Sequence, residues 1–303
     1  MRVLSRGTGR RELAGLPVET VTGDLARGPL EELVRGADVV VHAAANVWVG
    51  TTGRADLERV NVGGTGLVCD AVLAEQASSG RPVRLVQVSS VDALGLGSRE
   101  HPATEETPPL ESEGGVPYVD TKRAADRLVR SRAGLDAVFV HPTYMIGPWD
   151  WRPSSGRMLL EIAKGKGLVA PSGGNNFVDV RDVVAGIQAC ADPSRAPSGS
   201  AWILGNENLT YLEAWTRMAR VVGARPPLGQ TPRWLGNLLA AALEIPLALG
   251  LKEGDINPAT TRMSFLPHYF DPSKAQRELG IPATPLETAF ADAWSWFGEM
   301  GYR

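Results

Sequence analysis

Short apolar runs recur along the first two thirds of the chain, each closed by small or polar residues and followed by a stretch with helical spacing. Arg2-Val3-Leu4-Ser5-Arg6 predicts a strand running into a turn at Gly7-Thr8-Gly9. Leu16-Pro17-Val18-Glu19-Thr20-Val21 predicts a second strand, ending at Gly23-Asp24-Leu25. A short helix is expected over 29–35, and a strand buried on both faces over 37–42, where Asp38-Val39-Val40-Val41 leads into His42-Ala43-Ala44-Ala45. One long helix over about 54–78 precedes the strand Val83-Arg84-Leu85-Val86-Gln87-Val88, which ends in Ser89-Ser90. A loop rich in Pro, Gly and Glu fills 95–116, a helix follows to about Arg132, and Ala137-Val138-Phe139-Val140 is a further strand ending in His141-Pro142-Thr143. Strand and helix alternate throughout, which indicates an α/β fold: a doubly wound parallel sheet with helices on both faces. Ligands bind beyond the carboxyl ends of such strands. Asp24, Ala43, Ala44, Ala45, Ser89, Ser90 and residues 141–143 all fall there.

The chemistry of the chain centres on Tyr118-Val119-Asp120-Thr121-Lys122. A tyrosine four residues ahead of a lysine shares its helix face. An ammonium beside a phenol favours the phenolate, so the Tyr118 pKa is expected to fall, which suits a general acid or base near neutral pH. An ordinary helix surface is the alternative.

Composition narrows the choice. With 303 residues, 43% hydrophobic and 21% charged, the chain builds one large domain or two small ones with a real core. A net charge of −3, from 31 basic and 34 acidic residues, gives no bulk attraction to nucleic acid or anionic membrane. Arg123, Arg127 and Arg130 share a helix face, which reads as solvated, with Asp126 and Arg130 paired, rather than as a nucleic-acid stripe. Cys69 and Cys190 are expected as buried free thiols in a reducing cytoplasm. His42, His101, His141 and His268 lack metal-ligand spacing, so no metal is expected. No signal peptide is expected ahead of the first strand, and no apolar run is clean and long enough to span a bilayer.

Gly23-Asp24-Leu25, His42-Ala43-Ala44-Ala45, Asn61-Val62-Gly63-Gly64-Thr65, Val88-Ser89-Ser90, Tyr118-x-x-x-Lys122 and His141-Pro142-Thr143-Tyr144-Met145-Ile146-Gly147-Pro148 stand in the order of one family. So do Phe177-Val178-Asp179-Val180-Arg181-Asp182-Val183 and Phe270-Asp271-Pro272-Ser273-Lys274-Ala275. The chain resembles the extended short-chain dehydrogenase/reductases, the NAD-dependent epimerase/dehydratase superfamily, nearest to its dihydroflavonol reductase-like and 3β-hydroxysteroid dehydrogenase-like members. That likeness implies a Rossmann-like core over 1–148 and 172–206. A substrate-binding lobe would comprise 149–171 and 207–303. One departure is large. The family opens with a strand, a glycine-rich turn and a helix, and Met1 falls at the family's second strand. The missing unit, about 25 residues, would place a central strand. Without it, the neighbouring strands would face a gap with unpaired edges. Either the native protein carries that unit upstream, or this lineage lost it and weakened its cofactor site.

The resemblance also implies roles. Tyr118 matches the acid/base tyrosine. Lys122 matches the lysine that lowers the phenol's pKa and bonds the nicotinamide ribose. Ser90, with Ser89 as the alternative, matches the serine that holds the substrate oxygen. Asp24 and Leu25 match the pair bracketing the adenine, Ala43, Ala44 and Ala45 the backbone lining ribose and phosphate, and Pro142 and Thr143 the contact near the carboxamide. Asn61 matches a buried, supporting asparagine. At the end of the first strand, Ser5 and Arg6 stand where a carboxylate would select NADH. A hydroxyl and a guanidinium suit a 2′-phosphate, so NADP(H) is expected over NAD(H); a solvated turn arginine is the alternative. Residues 149–171 and 205–270 should hold the substrate, and Trp149-Asp150-Trp151-Arg152 should wall the pocket. The apolar stretch 234–251 suits a lid over an apolar substrate, with membrane-surface contact as the lesser alternative. Asn175 and Asn176 replace the basic residue that nucleotide-sugar epimerases often place there for the diphosphate. The expected function is a cytoplasmic NAD(P)-dependent oxidoreductase acting on a ketone or secondary alcohol of a small apolar molecule, as a homodimer. A sugar epimerase or dehydratase is the alternative within the superfamily, and a non-catalytic binding protein the alternative outside it.

Overall fold

The computed structural model describes residues 1–7, 11–109 and 116–303. Thr8 and Gly9 of the expected first turn, and residues 110–115 of the long loop, lie outside the described residues. Strand β1 (Arg2–Ser5) pairs in parallel with β2 (Glu19–Thr22), and helix α1 (Glu31–Val34) follows. The chain continues through β3 (Val39–His42), α2 (Arg54–Leu57), α3 (Gly64–Ser79), β4 (Arg84–Val88), α4 (Pro117–Ser131) and β5 (Asp136–Pro142). β3, β4, β5 and the strand Ala201–Leu204 form one parallel sheet in that order.

This is the Rossmann-like arrangement the alternation implied, and it is parted at the expected place. β1 and β2 form a sheet of their own, and among the described residues nothing pairs with the free edge of β1 or of β3. Val41, apolar by sequence, is left 48% exposed on β3. The long helix expected over 54–78 is present and runs without a break from Arg54 to Ser79. Glu58–Gly63 is wound as a π-helical stretch between α2 and α3. Such wide turns concentrate at functional sites, and this one carries Asn61.

The pleat of β4 and β5 sends alternate residues to opposite faces. Leu85 and Phe139 pack with Val68, Cys69 and Val72 of α3 and Val129 of α4. Val86, Val138 and Val140 pack on the other face with Val183, Trp202 and Leu279. Each such fully buried side chain contributes about 1.5–3 kcal/mol. Both cysteines are buried free thiols, and burial pushes Cys69 up to about 11 and Cys190 to about 12.

After β5 the chain leaves this sheet. Gly174–Asp179 forms the middle of a smaller sheet, flanked by Glu207–Thr210, Pro267–His268 and Tyr144–Ile146. A separate core gathers there, with Leu159, Phe177, Tyr211, Phe290 and Phe297. The last helix forms over Leu286–Glu299. Past it, Tyr302 stacks on Trp296 at 5.8 Å and donates to the Trp151 carbonyl at 2.7 Å. Trp149, at the start of the expected pocket wall, holds a left-handed backbone with φ 72°, a strained conformation for a bulky residue.

The expected lid helix spans Arg233–Ala248 and buries only Gly236 and Ala240. Trp234, Leu238 and Ile245 remain exposed on it. None of the described helices is long and apolar enough to cross a membrane. The lid's following loop is tied down through Glu253. Its carboxylate accepts from the backbone N–H groups of Thr51 and Thr52 at 2.8 and 2.9 Å, and from their hydroxyls at 3.0 and 2.6 Å. Asn257 adds a bond to the Val49 carbonyl at 2.8 Å.

Candidate active site

The ends of β3, β4 and β5 and the first turns of α4 converge on one region. Pro117 opens α4 at a position where no backbone donor is needed, so the next turns carry Tyr118 and Lys122 inward, both buried. Ser90 caps the short turn of 3-10 helix Val91–Ala93 and accepts from the Asp92 N–H at 3.2 Å. Its hydroxyl donates to Asp92 Oδ2 at 3.0 Å and also meets the Tyr118 phenol. Ser89 points elsewhere, donating to Asp126 Oδ2 at 2.6 Å. Of the two serines, Ser90 is the one brought to Tyr118.

Lys122 donates to the Val88 carbonyl at 3.0 Å, one strand residue before the serine pair. Burial lowers its pKa, against the opposing charges of Asp126 and Asp92. The expected fall of the Tyr118 pKa is not found. Burial raises it, the Asp92 charge raises it further, and only the Ser90 contact opposes. The spacing did place both groups on one inward face. It could not foresee that the phenol would lose its water and gain a carboxylate neighbour, while the ammonium turned to a strand carbonyl.

The expected Asp126–Arg130 pair is likewise replaced. Asp126 is buried against Ser89, and Arg130 bonds the Gly199 carbonyl at 3.1 Å and stacks over Phe139 at 3.9 Å. Two histidines support the region. His141 lies against the Ser90 carbonyl at 3.0 Å through Nδ1. A carbonyl only accepts, so Nδ1 carries the hydrogen. His42 Nε2 sits 2.9 Å from Thr65 Oγ1, whose own hydrogen goes to the Asn61 carbonyl at 2.6 Å. Nε2 is therefore the donor. Burial, then the Lys122 charge, lowers His42 to about 4, so it stays neutral.

Asn61 joins two halves of the site. Its amide accepts from the Asn46 N–H at 2.7 Å and donates to the Asn46 carbonyl at 2.9 Å and to Thr121 Oγ1, on α4, at 3.1 Å. The supporting role implied for it matches this geometry. Asn46 belongs to the loop after β3, which walls a cavity of about 690 Å³. Ser5, Arg6, Asp24, Leu25, Ala44 and Ala45 line that cavity; Ala43, Pro142 and Thr143 do not. Ser5 is buried and its hydroxyl donates to the Gly7 carbonyl at 2.7 Å. Asp24 Oδ1 accepts from the Ala26 N–H at 2.9 Å, closing the turn that presents Leu25. Arg59 and Arg152 also reach the cavity. Arg152 belongs to the stretch expected to wall the substrate pocket, whereas Arg59, mid-helix, was not expected at a site.

A dinucleotide fits part of this arrangement. The cavity supplies apolar and polar walls at the strand ends, with Arg6 and Arg152 for a phosphate. The described residues form no glycine-rich strand-turn-helix, the usual source of N–H donors to a diphosphate. Among them, no cluster of His, Cys, Asp or Glu could hold a metal ion.

A doubly wound sheet with serine, tyrosine and lysine gathered at its strand ends defines a Rossmann-type oxidoreductase. Comparison with known proteins makes the assignment specific. Residues 2–205 match the profile of the NAD dependent epimerase/dehydratase family, and the chain belongs to that family. It is an enzyme of the reductase and epimerase group. It is 31% identical over 310 residues to a Synechocystis sp. protein named for dihydroflavonol 4-reductase, covering 100% of this chain and 88% of that one. It is 32% identical over 297 residues to sterol demethylase protein B of Methylococcus capsulatus, covering 95% and 88%. Among solved structures, gox2253 superposes with a TM-score of 0.81 at 30% identity, covering 99% of this chain and 91% of that one. A nucleoside-diphosphate-sugar epimerase from Pseudomonas aeruginosa gives 0.78 at 24% identity, covering 99% and 90%, a likeness of fold.

Proposed function

We propose that this enzyme is an NADP(H)-dependent reductase or dehydrogenase acting on a ketone or secondary alcohol of a small apolar molecule. The observation that carries the proposal is the gathering of Ser90, Tyr118 and Lys122, all buried, around the end of β4, with Lys122 held on the Val88 carbonyl at 3.0 Å. In the reducing direction the proton on Tyr118 Oη passes to the substrate carbonyl oxygen. Ser90 holds that oxygen in place, and its backbone carbonyl is anchored by His141. Lys122, fixed on the Val88 carbonyl at 3.0 Å, would hold the ribose of a bound cofactor. A bound nicotinamide would supply the hydride to the carbonyl carbon.

NADP(H) is favoured over NAD(H) by Arg6 and Arg152 at the cavity. A structural relative, MoeE5, has been solved with UDP-glucuronic acid and NAD, which keeps NAD as the alternative cofactor. An apolar substrate is favoured by the lid helix and by relatives named for a flavonoid reductase and a sterol demethylase. The sugar-nucleotide reading draws support from MoeE5. Against it, Asn176 is fully buried and bonded to Asn208 and Phe270, so it is not free to hold a diphosphate. A cytoplasmic location accords with the free thiols, and a homodimer through α3 and α4 is checked by light scattering.

The test is titration with NADPH and NADH, alone and with an N-terminally extended chain, followed by turnover of Tyr118→Phe. Tighter NADPH binding and a loss of turnover of at least about 100-fold are expected. Tighter NADH binding removes the cofactor assignment, and unchanged turnover of Tyr118→Phe removes the mechanism.

A further inference from the structure

The lid helix Arg233–Ala248 carries two apolar faces, where a helix packed on one side needs only one. At about 100° per residue, Gly236, Ala240, Leu243 and Leu247 share one side. Gly236 and Ala240 are buried, Leu243 and Leu247 are half-buried, and a Cβ at Gly236 would stand 2.4 Å from the Phe265 ring. That side packs on the body. Trp234, Leu238 and Ile245 lie about 180° away, and they are 59–68% exposed. Leu249 extends the same line past the helix end. The short ribbon leading into the helix, where the Leu228 N–H donates to the Leu168 carbonyl at 2.8 Å, leaves both of those leucines exposed as well. Single exposed apolar residues are ordinary on a protein surface; a continuous line of them marks a contact.

The charges of the same stretch decide what covers it. Residues 223–256 hold three acids and three bases. Each acid is bonded inside the protein: Glu244 to Arg262, Glu253 to Thr51 and Thr52, and Asp255 to Arg157. The bases Arg225, Arg233 and Lys252 are exposed, and among the described residues their side chains have no ion pair or hydrogen bond. They stand at both ends of the apolar line. A second copy of the chain seated there would bring the same unanswered cations and no free acid to meet them. An anionic lipid surface answers the cations with phosphates and takes the apolar line into its acyl boundary. We propose that the outward face of the lid helix docks on a membrane surface bearing anionic lipids. The helix lies along that surface and does not cross it, being 16 residues long with Pro246 inside it. The net charge of −3 does not oppose the docking, because charges farther away than about 8 Å are screened at physiological salt. The docking is independent of the catalytic reading, and its test needs no substrate.

The test is co-sedimentation of the whole chain with vesicles of mixed phosphatidylcholine and phosphatidylglycerol, and with vesicles of phosphatidylcholine alone. Binding to the mixed vesicles is expected, weakening as salt is raised. Leu238→Glu with Ile245→Glu alters only exposed positions and should lower that binding at least about tenfold. Arg233→Gln and Lys252→Gln should each lower it roughly fivefold on the mixed vesicles and leave binding to phosphatidylcholine alone unchanged. Circular dichroism checks that each variant is folded. The wild type supplies a second measurement that needs no change to the leucine line. The chain has eight tryptophans, and bromine-labelled phosphatidylcholine should quench the emission component that Trp234→Phe removes. Failure of the wild type to bind the mixed vesicles overturns the proposal, as does equal binding to both kinds of vesicle, or a Trp234 component that bromine leaves untouched. Self-association in light scattering that Leu238→Glu with Ile245→Glu abolishes, without any vesicle binding, assigns the face to a second copy and also overturns it.

Discussion

Asn61→Ala tests whether the cofactor wall and the catalytic helix are mechanically one piece. The native amide is 3% exposed and makes three bonds, two to Asn46 and one to Thr121. At about 1 kcal/mol net for each bond, the loss is about 3 kcal/mol. Asn46 is only half-buried, and water reaching its freed backbone groups should recover about 1 kcal/mol. A net loss of about 2 kcal/mol is expected, or a fall in Tm of roughly 3–6 °C for a chain of this size. The loop released is the one that walls the cavity, so cofactor affinity should fall as well, by about the same energy or less. Urea unfolding gives the first quantity and fluorescence titration with NADPH the second. Asn61→Asp should be worse, because a carboxylate cannot donate to the Asn46 carbonyl. Full stability and full affinity in Asn61→Ala would refute the idea that the wide turn at Glu58–Gly63 exists to deliver this side chain.

Other outcomes follow from the same geometry. His42 sits at about 4 in the fold against 6.5 when exposed, so the unfolded chain takes up its proton first. Its contribution is complete above pH 6.5 and is lost as pH falls toward 4, at most about 3 kcal/mol; urea midpoints at pH 7 and pH 5 should differ less in His42→Gln than in the wild type. Glu253→Ala should release the loop after the lid helix, raising KM several-fold with kcat nearly kept, and limited proteolysis should cut near residues 249–256 sooner. Unchanged KM and cleavage would mean that the four bonds to Thr51 and Thr52 hold nothing that matters to the substrate.

Much of the fold was legible because the relevant signals are local. Apolar strands such as Val39-Val40-Val41 and Leu85-Val86 are closed by small residues, and the order of these segments with Tyr118 and Lys122 pointed to the candidate site. What escaped depends on where side chains turn after packing. Asp92 reads as an ordinary residue of a short turn, and only the fold points it at Ser90. Asp126 seemed paired with Arg130 along α4, yet burial of that face gave it to Ser89. Arg59 and Arg152 come from distant segments, and nothing in their local sequence marks them as neighbours of Arg6. The wide turn that delivers Asn61 is a backbone irregularity inside a sequence that reads as continuous helix.

Ser5, Asp24 and Leu25 reach the cavity from one side, and Ala44, Ala45 and Asn46 reach it from the loop after β3. These segments are distant in sequence, so an occupant of the cavity would tie them to one another. Its arrival should show as slowed amide exchange in both at once, whereas a molecule that reaches only one of them should slow only that one.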